Sequence, residues 1–152
     1  MTTARTAPAW SIRAATVQDT GAIQALLEAN RLPANDLRQH IADFHVAIAD
    51  AGTLVGVAGL ERYGPAALLR SVAVAAGWRR RGVGAALTEA CLRHAAACAV
   101  REVYLFTEAA APYFAARGFA PTTRDRLPPA ILASPQATTI CPQSAKVLVR
   151  AP

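Results

Sequence analysis

The stretch from Ser71 to Leu87 constrains this chain more than any other. An apolar run, Ser71-Val72-Ala73-Val74, leads through Ala75-Ala76-Gly77-Trp78 into Arg79-Arg80-Arg81-Gly82-Val83-Gly84-Ala85-Ala86-Leu87. A buried strand thus feeds a basic, glycine-containing loop that opens an alanine-rich helix. The first N–H groups of a helix have no partner inside it and carry the positive end of its dipole, so they attract phosphate. Glycine at 82 and 84 leaves those amides uncovered. Arginines beside them add charge-assisted hydrogen bonds.

Three ligand chemistries suit such a loop. A mononucleotide loop needs lysine followed by serine or threonine after its second glycine, and Ala85 and Ala86 stand there instead. A dinucleotide fold needs three glycines directly after its strand; here there are two, several residues beyond Val74. The pyrophosphate of coenzyme A remains. The net charge of +6, carried by arginine except for Lys146, agrees with a small polyanion bound at one place. A nucleic-acid partner fits poorly. The arginines are scattered apart from Arg79–Arg81, and two Trp, three Tyr and four Phe offer little stacking surface.

Along the rest of the chain, period and turn chemistry predict strands at Ser11–Thr16, Phe44–Ala49, Thr53–Leu60, Leu68–Val74, Val103–Phe106, Phe119–Thr123 and Lys146–Arg150. Asp50-Ala51-Gly52 makes the second and third a hairpin. Helices are expected after Thr16 or Asp19 (Ile23, Leu26 and Leu27 on one face), from Pro33 through Leu37 and Ile41, over Gly82–Ala99, and over Ala109–Arg117 before Gly118. Pro128–Ser134 reads as a helical turn. The order is a mixed α/β layer with an antiparallel front half and a strand–helix–strand crossover. We expect residues 1–9 to be a flexible start and 10–152 to form one domain. No apolar run approaches the roughly 20 residues of a membrane span, and no secretion signal is visible. Cys91, Cys98 and Cys141 form no metal-ligand spacing, nor do His40, His45 and His94, so we expect no metal and a reducing, cytoplasmic setting.

Arg79-x-x-Gly82-x-Gly84 after Val72-Ala73-Val74, followed by the strand Val103–Thr107, a short helix and Gly118-Phe119, resembles the acetyl-coenzyme A motif of the GNAT superfamily of N-acetyltransferases. The likeness runs from about Ile12 to Arg150. It implies a single-domain GNAT-like fold, with a central mixed sheet of about seven strands and about four flanking helices. Neighbouring strands would splay around the acetyl-CoA slot. Val72, Ala73 and Val74 would hold the pantetheine arm through their backbone, and Arg79, Arg80, Arg81, Gly82, Val83, Gly84 and Ala85 would hold the pyrophosphate. More narrowly, Gly59–Gly64, Leu68–Ser71 and Cys141–Ala145 are similar to small acetyltransferases found with arsenic-resistance genes. They are more distantly similar to the domain that N-acetylates glutamate. These relatives imply an acceptor that is an amino acid or an acidic analogue. Members are often dimers, so a homodimer is among the expectations.

Transfer to an amine needs a base for the amine, a donor to the carbonyl oxygen and a proton for the thiolate. Val72 N–H is the expected oxyanion donor. Many family members place a tyrosine four residues before the Gly-Phe glycine, where this chain has Phe114; Tyr113 is one position, about 100°, away. Tyr113 is the candidate acid, with Phe114 packing the coenzyme. Glu61, read at the end of its strand, is the candidate base and Glu108 the second choice. Arg70, charged within an apolar strand, needs either a substrate carboxylate or a buried acid such as Glu61. Arg62, Ser144 and Lys146 are weaker candidates for the same pocket, and Cys141 is read as a packing residue. Two other functions stay open at this stage: a protein or peptide N-acetyltransferase, and a coenzyme A sensor without catalysis.

Overall fold

The computed structural model describes residues 9–152. The start expected to be flexible lies, apart from Ala9, outside the described residues. Seven strands form one sheet: β1 (Trp10–Ala14), β2 (Phe44–Ala49), β3 (Leu54–Tyr63), β4 (Ala66–Val74), β5 (Glu102–Thr107), β6 (Ala120–Thr122) and β7 (Lys146–Arg150). Their order across the sheet is β1-β2-β3-β4-β5-β7-β6. Among the described residues only β4 and β5 pair in parallel; the other pairs are antiparallel. The helices are α1 (Thr20–Ala29), the single turn α2 (Leu37–His40), α3 (Val83–Ala97), α4 (Ala111–Ala115) and α5 (Pro129–Leu132). None of the described helices is long and apolar enough to cross a membrane.

Local chemistry sets the element ends. The Thr16 N–H donates to the Asp19 carboxylate at 2.8 Å, so a 3₁₀ turn at Val17–Asp19 precedes α1. The expected helix through Leu37 and Ile41 shrinks to one turn, with Asp36 in the left-handed region (φ 59°) and a 3₁₀ turn following at once. Gly82 (φ 82°) turns the chain into α3, whose alanines and Leu87, Cys91 and Leu92 build a long apolar face. Crossing from β4 to β5 through α3 is what lets two parallel strands lie side by side.

The sheet is buried on both faces. On one, α3 and α4 cover a cluster that includes Val55, Leu60, Leu69, Leu87, Cys91, Leu105 and Leu148. Ile23, Leu27, Phe44, Val46 and Val57 pack on the other face. A third group, Leu68, Tyr104, Ile131 and Val147, lies under α5.

Two irregularities in β4 prepare the site. Along β3, Val57 pairs with Ala73 and Gly59 with Arg70, so β4 carries one extra residue there. This is a β-bulge, and Ser71 takes the left-handed conformation at φ 59°. An extra residue flips the alternation of the strand. Leu69, Val72 and Val74 therefore all touch the α3 cluster, while Ala73 joins the opposite one. The second irregularity is the pairing with β5, which stops early. Ala66, Ala67 and Leu68 pair with Glu102, Val103 and Tyr104, and no pairing follows. Beyond that point β5 turns its hydrogen bonds to β7 alone. The two strands separate, and a wedge opens between them.

Candidate active site

Two cavities meet the opened half of β4 on consecutive stretches of its backbone. The larger, about 570 Å³, is lined by Val72, Ala73 and Val74, by the loop and first turn of α3 (Trp78, Arg79, Arg80, Gly82, Val83, Gly84, Ala85), and by Asn30, Ala110, Tyr113, Phe114 and Arg117. The smaller, about 90 Å³, touches Leu68, Leu69, Arg70 and Ser71 and is closed by Leu32, Pro33, Phe106, Gln136 and Cys141. The bulge at Ser71 stands at the boundary of the two sets.

The larger cavity is built for an anion. Its lining contains Arg79, Arg80 and Arg117 and no acidic residue. Among the described residues none of these three has a carboxylate within 4.0 Å; Arg13, Arg62, Arg70 and Arg150 do. Arg79 instead spans two neutral acceptors, Asn30 Oδ1 at 2.7 Å and the Val74 carbonyl at 3.3 Å. This ties the C-terminal cap of α1 to the end of β4. Three unneutralised guanidiniums beside the first turn of a 15-residue helix call for a polyanion. The fit is close at Gly84, where an added Cβ would lie 2.6 Å from the Tyr113 hydroxyl and 3.6 Å from Val74. Arg81 lies apart from the cavity lining, with its guanidinium 4.8 Å from the centre of the Trp78 ring.

On α4, Phe114 is buried and stacks edge-on with Tyr113 and Phe119. Tyr113 is half-exposed in the cavity and reaches toward Gly84 with its hydroxyl. Burial raises its phenol above the usual value, and Arg117 partly opposes the rise. The hydroxyl thus stands at the loop end of the cavity, over the first turn of α3, rather than at the bulge.

Glu61 lies within β3, not at its end, because the strand continues to Tyr63. Its carboxylate and the Arg70 guanidinium, 2% and 3% exposed, face each other at 2.8 Å. The Tyr63 hydroxyl donates to the other carboxylate oxygen at 2.5 Å, and His40 stands 3.9 Å away. Hydrogen bonding to this carboxylate, together with burial, pushes the Tyr63 phenol far upward, burial being the larger cause. Arg70 also donates to the Asn35 carbonyl (2.7 Å) and to Ser71 Oγ (3.0 Å). Of its two expected partners the buried acid is the one present. Glu61 lines neither cavity, so the carboxylate read as a base is held in an ion pair instead.

Arg62, Ser144 and Lys146 do not join Arg70. Arg62 donates to Asp43 at 2.9 Å, beside a separate hollow with His40 and Cys98. Ser144 and Lys146 line a fourth hollow with Thr122 and Arg124. The reason is geometric: β7 runs beyond β5, away from β4, so residues at its start cannot reach across the wedge. Cys141 does line the smaller cavity. Its thiol donates to Gln136 Oε1 at 3.3 Å, and burial raises its pKa. Sequence reasoning missed Asn30, Phe106, Gln136 and Arg117. Arg117 had a signal, being four residues after Tyr113 on one helix face; Asn30, 49 residues from Arg79, had none.

Comparison with known proteins bears on the fold. The N-acetylglutamate synthase of Neisseria gonorrhoeae, solved with coenzyme A and L-arginine, superposes with a TM-score of 0.79 at 24% identity. The match covers 93% of this chain and 33% of the synthase, so the chain spans about a third of that protein's length. A Mycobacterium tuberculosis protein solved with CoA, Rv2747, gives a TM-score of 0.77 at 18% identity over 93% of this chain and 99% of its own. Ard1 of Thermoplasma volcanium gives 0.72 at 21% identity, over 94% and 97%. These likenesses establish the fold. Residues 40–121, more than half of the chain, match the family description "Acetyltransferase (GNAT) domain" and span β2 through the loop, α3, the wedge and α4. The chain therefore belongs to the GNAT acetyltransferase family.

Proposed function

We propose that the chain is an acetyl-CoA-dependent N-acetyltransferase whose acceptor is the amine of a small molecule, an amino acid or an acidic analogue. The observation that carries this reading is the division of one strand between two cavities. Val72–Val74 face the anion-binding cleft, and Leu68–Ser71 face the small pocket. A cosubstrate lying along the first and an acceptor seated in the second would meet at the bulge. The lining fits coenzyme A: uncovered amides at Gly82–Ala85, three arginines without carboxylates, and main-chain groups of β4 left free by the lost pairing with β5.

Acetyl-CoA supplies the thioester. In this reading Val72–Val74 hold the pantetheine arm by backbone hydrogen bonds, and the Val72 N–H points its dipole at the carbonyl oxygen as negative charge develops there. Arg79, Arg80 and the amides from Gly82 to Ala85 hold the diphosphate, with Arg81 outside the lining. Glu61 acts through Arg70: the pair fixes Ser71 Oγ, hence the bulge, hence the direction of the Val72 N–H. The amine proton then leaves through water in the open wedge rather than directly to Glu61. Tyr113, over Gly84, serves the diphosphate end, and the thiolate takes its proton from solvent.

The acceptor class rests on the motif resemblance read from Gly59–Gly64, Leu68–Ser71 and Cys141–Ala145, on the fold shared with N-acetylglutamate synthase, and on the size of the pocket. A cavity of about 90 Å³ bounded by Pro33, Phe106 and Gln136 admits a small aminated head group rather than a folded protein surface. The test is a panel of free amino acids, phosphinic and arsenical amino-acid analogues, and short peptides, incubated with acetyl-CoA while free thiol is followed. Turnover with small acidic amino acids and little with peptides is the expected result. No thiol release above spontaneous hydrolysis, or release with peptides alone, would refute the reading.

A further inference from the structure

We infer that Arg117 gives the cofactor cleft a second anion site, which takes the 3′-phosphomonoester of coenzyme A; this rests on the reading just proposed. Arg117 lies four residues after Tyr113, in the turn that follows α4, and both line the same cleft. The Arg117 guanidinium lies over the Tyr113 ring, 3.5 Å from its centre. One amino group donates to the Tyr113 carbonyl at 2.8 Å. Its Nε is shielded from solvent and has no hydrogen-bond partner among the described residues. A guanidinium fixed by a ring and one carbonyl, lining the cleft and with no carboxylate within 4.0 Å among the described residues, is placed to receive an anion through its remaining amino hydrogens.

Charge balance identifies that anion. The diphosphate of coenzyme A is a diester with two negative charges, and the α3 amides with Arg79 and Arg80 are enough to match it. Three cleft arginines and about half a charge from the helix end exceed it by more than one unit. A phosphomonoester carries about −1.5 to −2 at neutral pH and closes the difference. Adenine alone would not: stacking on Arg117 would leave the charge unmatched and would not distinguish coenzyme A from its 3′-dephospho form.

Calorimetric titration of coenzyme A and 3′-dephospho-coenzyme A into the wild type, Arg117→Gln and Arg117→Lys tests the assignment, with thermal melting as a check on folding. The wild type should prefer coenzyme A by about 10-fold or more, as one charge-assisted contact predicts. In Arg117→Gln that preference should vanish, while dephospho-coenzyme A binds within about twofold of its wild-type affinity. Arg117→Lys should keep part of the preference, because a point charge remains. A wild type that binds both ligands equally overturns the inference. So does a substitution that weakens both alike, or that leaves the preference intact. If Arg117→Gln does not fold, the wild-type ratio and the lysine variant still decide. Absence of heat with either ligand on the wild type would instead overturn the proposed function.

Discussion

Replacing Arg70 by methionine should cost this protein a large share of its stability. The guanidinium is 3% exposed and makes three contacts, to Glu61 at 2.8 Å, the Asn35 carbonyl at 2.7 Å and Ser71 Oγ at 3.0 Å. Methionine fills much of the same volume, so the packing term is small. What remains is a carboxylate, 2% exposed, without its counter-charge. Breaking a buried pair from one side typically costs about 3–5 kcal/mol. Domains of this size hold about 5–15 kcal/mol in total, and each kcal/mol moves the melting temperature by about 2–4 °C. The expected fall is therefore about 6–20 °C at neutral pH. Replacing Glu61 by methionine as well removes the stranded charge. The double variant E61M/R70M should regain at least about half of the loss, the rest reflecting the orphaned Tyr63 hydroxyl and Asn35 carbonyl. Urea unfolding of the two single variants and the double closes a thermodynamic cycle. A loss below about 1 kcal/mol for R70M, or strictly additive losses, would refute the coupling argued here.

Gly84→Ala should fold but bind acetyl-CoA more weakly, because its Cβ would lie 2.6 Å from the Tyr113 hydroxyl and drive that ring into the cleft; adding Tyr113→Phe should restore much of the KM. Gly59→Ala puts a methyl group into the Phe44 ring, which is fully buried. We expect a loss of about 3 kcal/mol or insoluble protein, partly relieved by Phe44→Leu and read from urea midpoints and soluble yield. Burial, with the charges of His94 and Arg93 as lesser causes, lowers the His45 pKa from its ordinary 6.5, while Asp43 opposes the shift. The unfolded chain then binds the extra proton first, so stability is complete above pH 6.5 and falls as the solution is acidified through the lowered folded value. His45→Gln should flatten the stability slope below pH 6.5, and an unchanged slope would remove His45 as its source.

Much of the site was legible before folding because its chemistry is local. The strand, the basic loop and the two glycines are contiguous from Val72 to Ala85, and a helix N-terminus exposes its amides wherever it is placed. The residues of the loop and strand that line the larger cleft could thus be picked out along the chain, apart from Arg81, as could the single apolar face of α3. Residues whose role depends on distant partners were legible only as alternatives: Arg70 was expected to meet either a substrate carboxylate or Glu61, and Glu61 was also read as a base. Glu61 and Arg70 are nine positions apart on adjacent strands, and only the register that sets Glu61 against Leu68 and Gly59 against Arg70 brings their side chains together. Nothing in the pattern of β3 announced that it would run on to Tyr63 and bury the acid.

The sequence by itself determined the succession of strands and helices and the contiguous run of basic loop, glycines and helix start that we propose as the diphosphate site, since propensity, period and uncovered amides act over a few residues. Tertiary structure alone decided which charges are spent on one another. Glu61 with Arg70 and Arg62 with Asp43 are neutralised, and Arg79, Arg80 and Arg117 are left for a ligand. It also decided the wedge, because the extra residue at Ser71 and the early end of β4–β5 pairing exist only once three strands lie side by side. Coulomb attraction and sheet register depend on distances in space, and no spacing along the chain encodes them directly.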